Sequence, residues 1–172
     1  MDHDTLFETD ICTWAEQQVT ALRSLASRSD LPNTLDLANV VEGIEGVGQA
    51  YINDICVLIH QFLSNTMLLA VSPDDTEARN WRERAIDCQA DLAQRYQPQA
   101  SGRIDMALLW RRAARARYES LDAFHLNEAA AWARSLLDIA CPFSVDEVAD
   151  GDFDVNAVIR TMRESFASRP EP

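Results

Sequence analysis

The chain contains no lysine, and all fifteen of its basic residues are arginines, set against twenty-eight aspartates and glutamates. Its formal net charge is −13 and its isoelectric point is near 4.5. Nonspecific binding to nucleic acid needs a basic surface that releases counterions, so this balance argues against a nucleic-acid partner. Glycine and proline are also scarce, at five and six residues, while 47% of the 172 residues are apolar. Such a composition is typical of a globular, helical protein and not of a disordered one.

The sequence also lacks the patterns of a metal site, an exported protein and a membrane protein. Its four cysteines stand far apart, at Cys12, Cys56, Cys88 and Cys141. Without a C-x-x-C pair or clustered histidines, they predict reduced thiols and no zinc site. Residues 1–4 are acidic where a signal peptide is basic, and the apolar run 57–71 is shorter than the roughly 20 residues of a membrane span. We therefore expect a cytoplasmic protein with no cofactor, no bound metal and no membrane contact.

Apolar residues recur at intervals of three and four over most of the chain, which predicts amphipathic helices. Prolines at Pro32, Pro73 and Pro142 mark breaks between them. The predicted helices cover about 9–28, 36–71, 75–96, a stretch over 103–140 that is one helix or two, a short segment from residue 144, and 154–167. The predicted fold class is all-α, a bundle of four principal helices with a short helical C-terminal appendage, in a single domain over 1–172.

The second predicted helix is the longest, and we expect it to be central. Asp36 can cap it by accepting hydrogen bonds from the free amides of the first turn. Its apolar seam has coiled-coil spacing and consists of Leu37, Val41, Ile44, Gly48, Tyr51, Ile55, Leu58, Phe62 and Leu69. Glycine in a helix interior costs about 1 kcal/mol against alanine. Gly43, Gly46 and Gly48 therefore predict either a kink or a close helix crossing, and we favour the crossing.

Several motifs follow one another along the chain: Asp10-x-x-x-Trp14, Leu35-Asp36-Leu37-x-Asn39-Val40-x-Glu42-x-Ile44-Glu45-x-x-Gly48, His60 in an apolar run, Trp81-Arg82, and Cys141-Pro142-Phe143-Ser144 followed by Asp152-Phe153. Over residues 7 to about 154, their order and spacing resemble the bacterial domain-of-unknown-function family twenty-nine. The resemblance implies an all-helical fold and no established activity. The chain departs from the family pattern in two places, with Glu42-Gly43 where two acids are usual and Leu63 where a lysine commonly follows the histidine.

Glu42 and Glu45 are three residues apart, which places both carboxylates on one helix face. Metal sites in helical bundles use this geometry, but a di-iron site also needs Glu-x-x-His on two further helices. Neither His60 nor His125 follows a glutamate at that spacing. We expect instead that the two acids form bidentate ion pairs that fix the helix register. The candidate partners are arginines of neighbouring helices: Arg82, Arg84, Arg111, Arg112 and Arg115.

His60 lies among apolar neighbours, and Trp81-Arg82 opens the third predicted helix. A lone histidine in such surroundings is usually a hydrogen-bonded packing residue, which is what we predict. Catalysis needs a partner group, and no Ser/His/Asp or Cys/His motif supplies one, so we expect no enzymatic activity. The alternative is a ligand-binding or enzymatic bundle with a polar pocket around Glu42, Glu45, His60 and Arg82.

The fourth predicted helix carries the one cluster of basic and aromatic residues in the sequence, with arginines between 103 and 117 beside Trp110 and Tyr118. Arg111, Arg112 and Arg115 are candidates for binding an anion, RNA or an acidic partner. The other interpretation is a solvated face whose arginines pair with acids of the second helix.

Apolar helix faces are in surplus in this sequence, and chemical motifs are absent. We therefore favour a small cytoplasmic interaction module that acts as a homo-oligomer or through a protein partner. A polar binding pocket remains the alternative function.

Overall fold

The computed structural model describes residues 3–26, 32, 34–73 and 75–167. Within these residues every regular element is helical and no strand occurs, which confirms the all-α fold class. The α-helices of this part of the chain are α1 (His3–Thr9), α2 (Ile11–Leu25), α3 (Leu37–Val71), α4 (Ala78–Arg95), α5 (Met106–Ala123), α6 (Asn127–Ser135), α7 (Val145–Val148) and α8 (Val155–Ala167). Two 3-10 helices lie at Pro98–Arg103 and Leu136–Asp138.

The first predicted helix, about 9–28, corresponds to α2, and the preceding helix α1 was not predicted. Asp10 separates the two: it has φ −153° and ψ 76°, and its Oδ1 accepts a hydrogen bond from the amide of Thr13 at 3.0 Å. As the N-cap of α2 it starts the helix at Ile11, close to the predicted start. α2 also ends earlier than predicted, at Leu25. The predicted break around Pro32 lies partly outside the described residues.

α3 is the long helix that the sequence predicts, and its start is confirmed in detail. The amide of Asn39 donates to Oδ1 of Asp36 at 3.2 Å, which is the expected cap. The second half of α3 supplies much of the core, with Ile55, Ile59, Phe62, Leu63 and Met67 fully buried. By length and composition α3 is also long and apolar enough to cross a membrane, but 56% of its most apolar window is buried within the protein. A core helix meets the same criterion.

α5 begins at Met106 and not near Arg103, because Asp105 caps it by accepting from the amide of Leu108 at 2.8 Å. Its buried residues are Leu109, Trp110, Ala113, Ala114 and Leu121. Ala107, which we expected to point inward, is exposed. Ala107 lies in the first turn of α5, before the buried face of the helix begins at Leu109.

The stretch over 103–140 contains two α-helices, α5 and α6, which settles the open question. Between them His125 has a φ of 58°, a left-handed conformation that a helix does not continue through.

The predicted capping box is confirmed: the amide of Glu147 donates to Oγ of Ser144 at 3.2 Å, and the amide of Ser144 donates to Oε2 of Glu147 at 2.7 Å.

α8 forms over the predicted range and buries the predicted face. Oδ1 of Asp154 accepts from the amide of Asn156 at 2.9 Å at its start. Val155, Val158, Ile159 and Met162 are buried. The side chain of Phe166, also predicted on this face, lies outside the described residues.

By its internal contacts the chain divides into two compact units. The first unit comprises residues 1–54 and 97–103, and the second comprises 55–96 and 104–172. The first 18 residues of α3, up to Asp54, therefore count with the first unit and the remainder with the second. A single folding domain over 1–172 stays a prediction.

Candidate functional site

In the first unit α2 packs along the first half of α3, and a groove of about 500 Å³ lies between them. The two helices come close at Gly48, where a Cβ atom would lie 3.6 Å from the Cα of Cys12 and 3.7 Å from the Cβ of Ala15. The thiol of Cys12 donates to the carbonyl of Gly48, with Sγ and O 3.8 Å apart. The predicted close crossing is thus confirmed at Gly48. It is wrong for Gly43 and Gly46, where no atom lies within 4 Å of the added Cβ.

Two ion pairs line this groove. Nη2 of Arg23 donates to Oε1 of Glu45 at 2.5 Å, and Nη1 of Arg103 donates to Oε1 of Glu16 at 2.7 Å. The hydrogen bond from Arg103 lowers the pKa of the Glu16 carboxyl. These four side chains keep between 39% and 63% of their surface exposed, so solvent screens them and each pair contributes at most about 1 kcal/mol.

Glu45 meets an arginine of a neighbouring helix, as expected, but this arginine is Arg23 of α2. The expected partners on α4 and α5 were wrong for Glu45, because α2 is the helix that packs on this part of α3 and helical periodicity does not identify packing neighbours. Glu42 is exposed, and the described residues give it no ion pair. Only one of the two predicted acids therefore forms an ion pair between helices among the described residues, and it does so through a single hydrogen bond instead of the expected bidentate contact.

His60 belongs to the second unit and is half-buried on α3. Burial lowers its pKa, and the positive charges of Arg117 and Arg112 lower it further. The hydrogen bond that we predicted for His60 does not occur within the described part of the chain. The half-buried imidazole is thus disfavoured in its charged form by burial and by Arg117 and Arg112, and its role as a packing residue stays a prediction.

Trp81 and Arg82 lie on α4, also in the second unit. Trp81 is half-buried, while the exposed Arg82 donates from Nη1 to Oδ1 of Asn156 at 2.5 Å. Glu42 and Glu45 belong to the first unit, so the residues of the predicted polar pocket come from both units. Arg82 has a polar partner on α8 that the sequence did not indicate.

The tryptophan of the basic and aromatic cluster on α5 is buried in the core. Trp110 is 1% exposed and its Nε1 donates to the carbonyl of Leu136 at 2.9 Å. Arg111, Arg112 and Arg115 are exposed, and no ion pair holds them among the residues that the structure describes. The expected pairing of these arginines with acids of the long helix is therefore absent from the described residues.

The first half of α3 has a second apolar face that the sequence analysis missed. Val40, Gly43, Val47 and Ala50 are all exposed, and Val40 and Val47 each keep 40% of their surface accessible. Their spacing of three, four and three residues is that of a coiled-coil seam, and we call these four residues the exposed stripe. The signal that could have revealed the stripe is its own heptad spacing, which runs beside the predicted seam that contains Gly48.

The thiols offer no reactive site. All four cysteines are free, and burial raises the pKa of each thiol, which disfavours the nucleophilic thiolate. No group of three or more His, Cys, Asp and Glu side chains that could hold a metal ion occurs among the described residues.

Comparison with known proteins supports the sequence resemblance. The model of the family described as "Domain of unknown function DUF29" matches residues 6–154. The crystal structure of an alpha-helical protein of unknown function from Rhodospirillum rubrum, determined at 1.45 Å resolution, superposes with a TM-score of 0.70 at 28% sequence identity. The similarity covers 90% of this chain and 96% of that one. No match is found among curated proteins.

Proposed function

Because the chain belongs to the family described as Domain of unknown function DUF29, and membership brings no known activity with it, we propose from the geometry that the protein is a small cytoplasmic interaction module that self-associates through the exposed stripe of α3. The observation that carries the proposal is an apolar seam with heptad spacing that the described residues leave uncovered. Such a seam is stabilised when a second helix packs on it.

The exposed stripe is sterically complementary to itself. In an antiparallel pair whose twofold axis passes between Gly43 and Val47, Val40 of one copy meets Ala50 of the other, and Gly43 meets Val47. Each contact then joins a valine to a small residue. The backbones of the two helices can approach closely, and the valines fill the space that the small residues leave.

The flanks of the stripe permit this contact despite the net charge of −13. The heptad positions beside it carry no charge: Asn39, Gly46 and Asn53 on one side, and Leu37, Ile44 and Tyr51 on the other. Asp36 and Asp54 occupy the next seam positions and limit the apolar contact to four residues per copy. Burying the rest of a half-covered valine contributes at most about 1.5 kcal/mol, and association has an entropic cost, so we expect a weak, concentration-dependent dimer.

Sedimentation velocity over a wide range of protein concentration tests the proposal. The wild-type chain should pass from monomer to dimer, and Val47→Glu should remain monomeric because it places a charge at the centre of the contact. Ile86→Glu is the matched control, because Ile86 is 48% exposed but belongs to α4 and not to the stripe. It should dimerise like the wild type.

The dependence on salt distinguishes a second copy from another partner. Two like-charged copies repel each other, so screening should leave the dimer unchanged or strengthen it. Association that salt weakens indicates a contact between opposite charges and contradicts self-association through the apolar stripe. A wild-type chain that stays monomeric at every concentration also contradicts it, as does dimerisation that Val47→Glu leaves intact.

The groove between α2 and α3 supports a second candidate function, the binding of a small polar ligand. Its volume of about 500 Å³ lies within the range of small-molecule sites, and charges of both signs line it. These charges already satisfy each other in ion pairs, which is why we rank this function second. Native mass spectrometry of protein purified from its own host tests it: Glu45→Gln should abolish any retained small molecule, and Glu42→Gln is the control.

A further inference from the structure

Another cavity, of about 350 Å³, lies in the second unit beside the C-terminal end of α3. Three guanidinium groups line it: that of Arg82 from α4, and those of Arg160 and Arg163 from α8. All three side chains are exposed, so a molecule in solution can reach their donors. Glu164 is the one acidic residue that lines the cavity, so its walls carry three positive charges against one negative charge.

Two of these guanidinium groups are held in place by neutral acceptors. Nη1 of Arg82 donates to Oδ1 of Asn156 at 2.5 Å, which joins α4 to α8. Nε and Nη2 of Arg163 donate to the carbonyls of Ala70 and Leu69, at 2.9 Å and 3.0 Å. A guanidinium has five N–H donors, so both arginines keep donors that have no partner among the described residues. They are oriented before a ligand arrives, which lowers the entropic cost of binding it.

No acid pairs with these arginines within the part of the chain that the structure describes. Arg82, Arg160 and Arg163 form no ion pair there, and Arg160 forms no hydrogen bond through its side chain either. By contrast, Arg79 lies three residues before Arg82 on α4 and pairs with Glu83 at 2.9 Å. The cavity therefore collects positive charge in a chain whose net charge is −13.

Apolar side chains form another part of the cavity wall. Leu69 of α3 and Ile159 of α8 are 2% and 6% exposed, and Pro73 follows the end of α3. A ligand that fills the cavity thus contacts hydrocarbon as well as guanidinium groups. The volume lies at the lower end of the range of small-molecule sites, which favours a small ligand over a segment of a macromolecule.

We propose that this cavity binds a small organic dianion, a phosphate monoester or a dicarboxylate with a compact apolar body. A planar guanidinium donates two parallel hydrogen bonds to a carboxylate or a phosphate, and three such groups line one cavity here. The apolar body covers Leu69 and Ile159, which inorganic phosphate cannot do. The net charge of the chain repels anions at long range, so binding depends on these local contacts.

Isothermal titration with ligands that share one aromatic ring tests the charge that the cavity selects. Phenol is neutral, benzoate has one negative charge, and isophthalate has two. Phenyl phosphate has close to two at about pH 8. The tighter of the two dianions should bind about tenfold or more tightly than benzoate, because it adds a charge-assisted hydrogen bond. It also identifies the source of the charge, a monoester or a dicarboxylate. Inorganic phosphate should bind less tightly than phenyl phosphate.

Substitutions locate the binding. Arg160→Gln should weaken the tighter dianion about tenfold and leave the fold intact, because Arg160 has no hydrogen bond to lose among the described residues. Arg82→Gln should weaken it as much, and thermal denaturation separates this effect from the loss of the contact with Asn156. Arg84→Gln is the matched control: Arg84 is exposed on the same helix, but side chains two residues apart do not share a face. Its affinity should stay within about twofold of the wild type. Val47→Glu should bind the dianion like the wild type, because the cavity does not depend on self-association.

Several results would overturn the proposal. Neither dianion binding, or both binding no more tightly than benzoate, shows that the cavity does not select two charges. Equal affinity of Arg160→Gln and Arg84→Gln shows that Arg160 is not a ligand. Weakening by Arg111→Gln in place of Arg160→Gln assigns the anion to the exposed arginines of α5. An acidic peptide that binds when neither dianion does assigns the surface to a protein partner.

Discussion

The crossing of α2 and α3 can be tested with one pair of matched substitutions, Gly43→Val and Gly48→Val. Both replace a glycine by valine in the same helix, five residues apart. No atom lies within 4 Å of a Cβ at Gly43, so valine there meets open space. Valine is a better helix former than glycine by a few tenths of a kcal/mol, and it also reduces the entropy of the unfolded chain. We expect the free energy of unfolding to rise slightly or stay unchanged.

At Gly48 the same substitution meets α2. A Cβ atom alone would be in ordinary contact, 3.6 Å from the Cα of Cys12 and 3.7 Å from the Cβ of Ala15. The two further methyl groups of valine have no such space, and overpacking of this kind costs about 1–3 kcal/mol. After the gain in helix propensity, Gly48→Val should lower the free energy of unfolding by about 1–2 kcal/mol.

Urea denaturation followed by circular dichroism measures both variants. The protein concentration must stay below the range of self-association, because Gly43 also belongs to the exposed stripe. Gly48→Ala is the internal control, since its single methyl group fits and should stabilise the helix. Equal stability of Gly43→Val and Gly48→Val would show that α2 does not cross α3 at Gly48.

Three further predictions concern single side chains. The pKa of His60 is lower in the folded chain than in the unfolded chain, so protonation favours unfolding. The stability is fully present above the unfolded value of about 6.5 and is lost as the pH falls from there through the lower folded value, and His60→Gln should flatten this part of the pH dependence of urea unfolding. Arg23→Gln and Glu45→Gln should each change the free energy of unfolding by less than about 1 kcal/mol, with a small coupling energy in a double-mutant cycle. Trp110→Phe should lose about 2–3 kcal/mol in chemical denaturation, because it leaves the carbonyl of Leu136 without its donor and opens a small cavity.

The local signals in the sequence predicted much of the fold. Caps at Asp36 and Ser144 and the apolar faces of α3 and α8 were found because each depends only on residues within a few turns of the same helix. The short helix α1 was not predicted, because its seven residues make only about two turns and give little periodicity. The inward face of α5 was predicted in part: Ala114 and Leu121 are buried, whereas Ala107 in the first turn is exposed.

The candidate site was less predictable, because it depends on which helices are neighbours. The sequence predicts that Glu45 pairs with an arginine, but it does not indicate that the partner is Arg23 and not an arginine of α4 or α5. The Nε of Arg117, buried without a hydrogen-bond partner among the described residues, could not be predicted either, because an unpaired donor is identified only when its surroundings are known. The glycine spacing was likewise ambiguous. Gly48 differs from Gly43 and Gly46 in its contact with α2, and the sequence does not show where α2 packs.

The absence of lysine has a physical consequence at the end of α3. The last carbonyls of a helix have no partner within it and carry the negative end of the helix dipole. Nε of Arg163 donates to the carbonyl of Ala70 at 2.9 Å, and Nη2 donates to that of Leu69 at 3.0 Å, so one planar guanidinium satisfies two successive carbonyls. A lysine ammonium is a point charge without this fork. In the second unit, arginine therefore provides a helix cap at Arg163 that lysine would not reproduce, and at Arg117 a buried Nε donor that lysine does not possess.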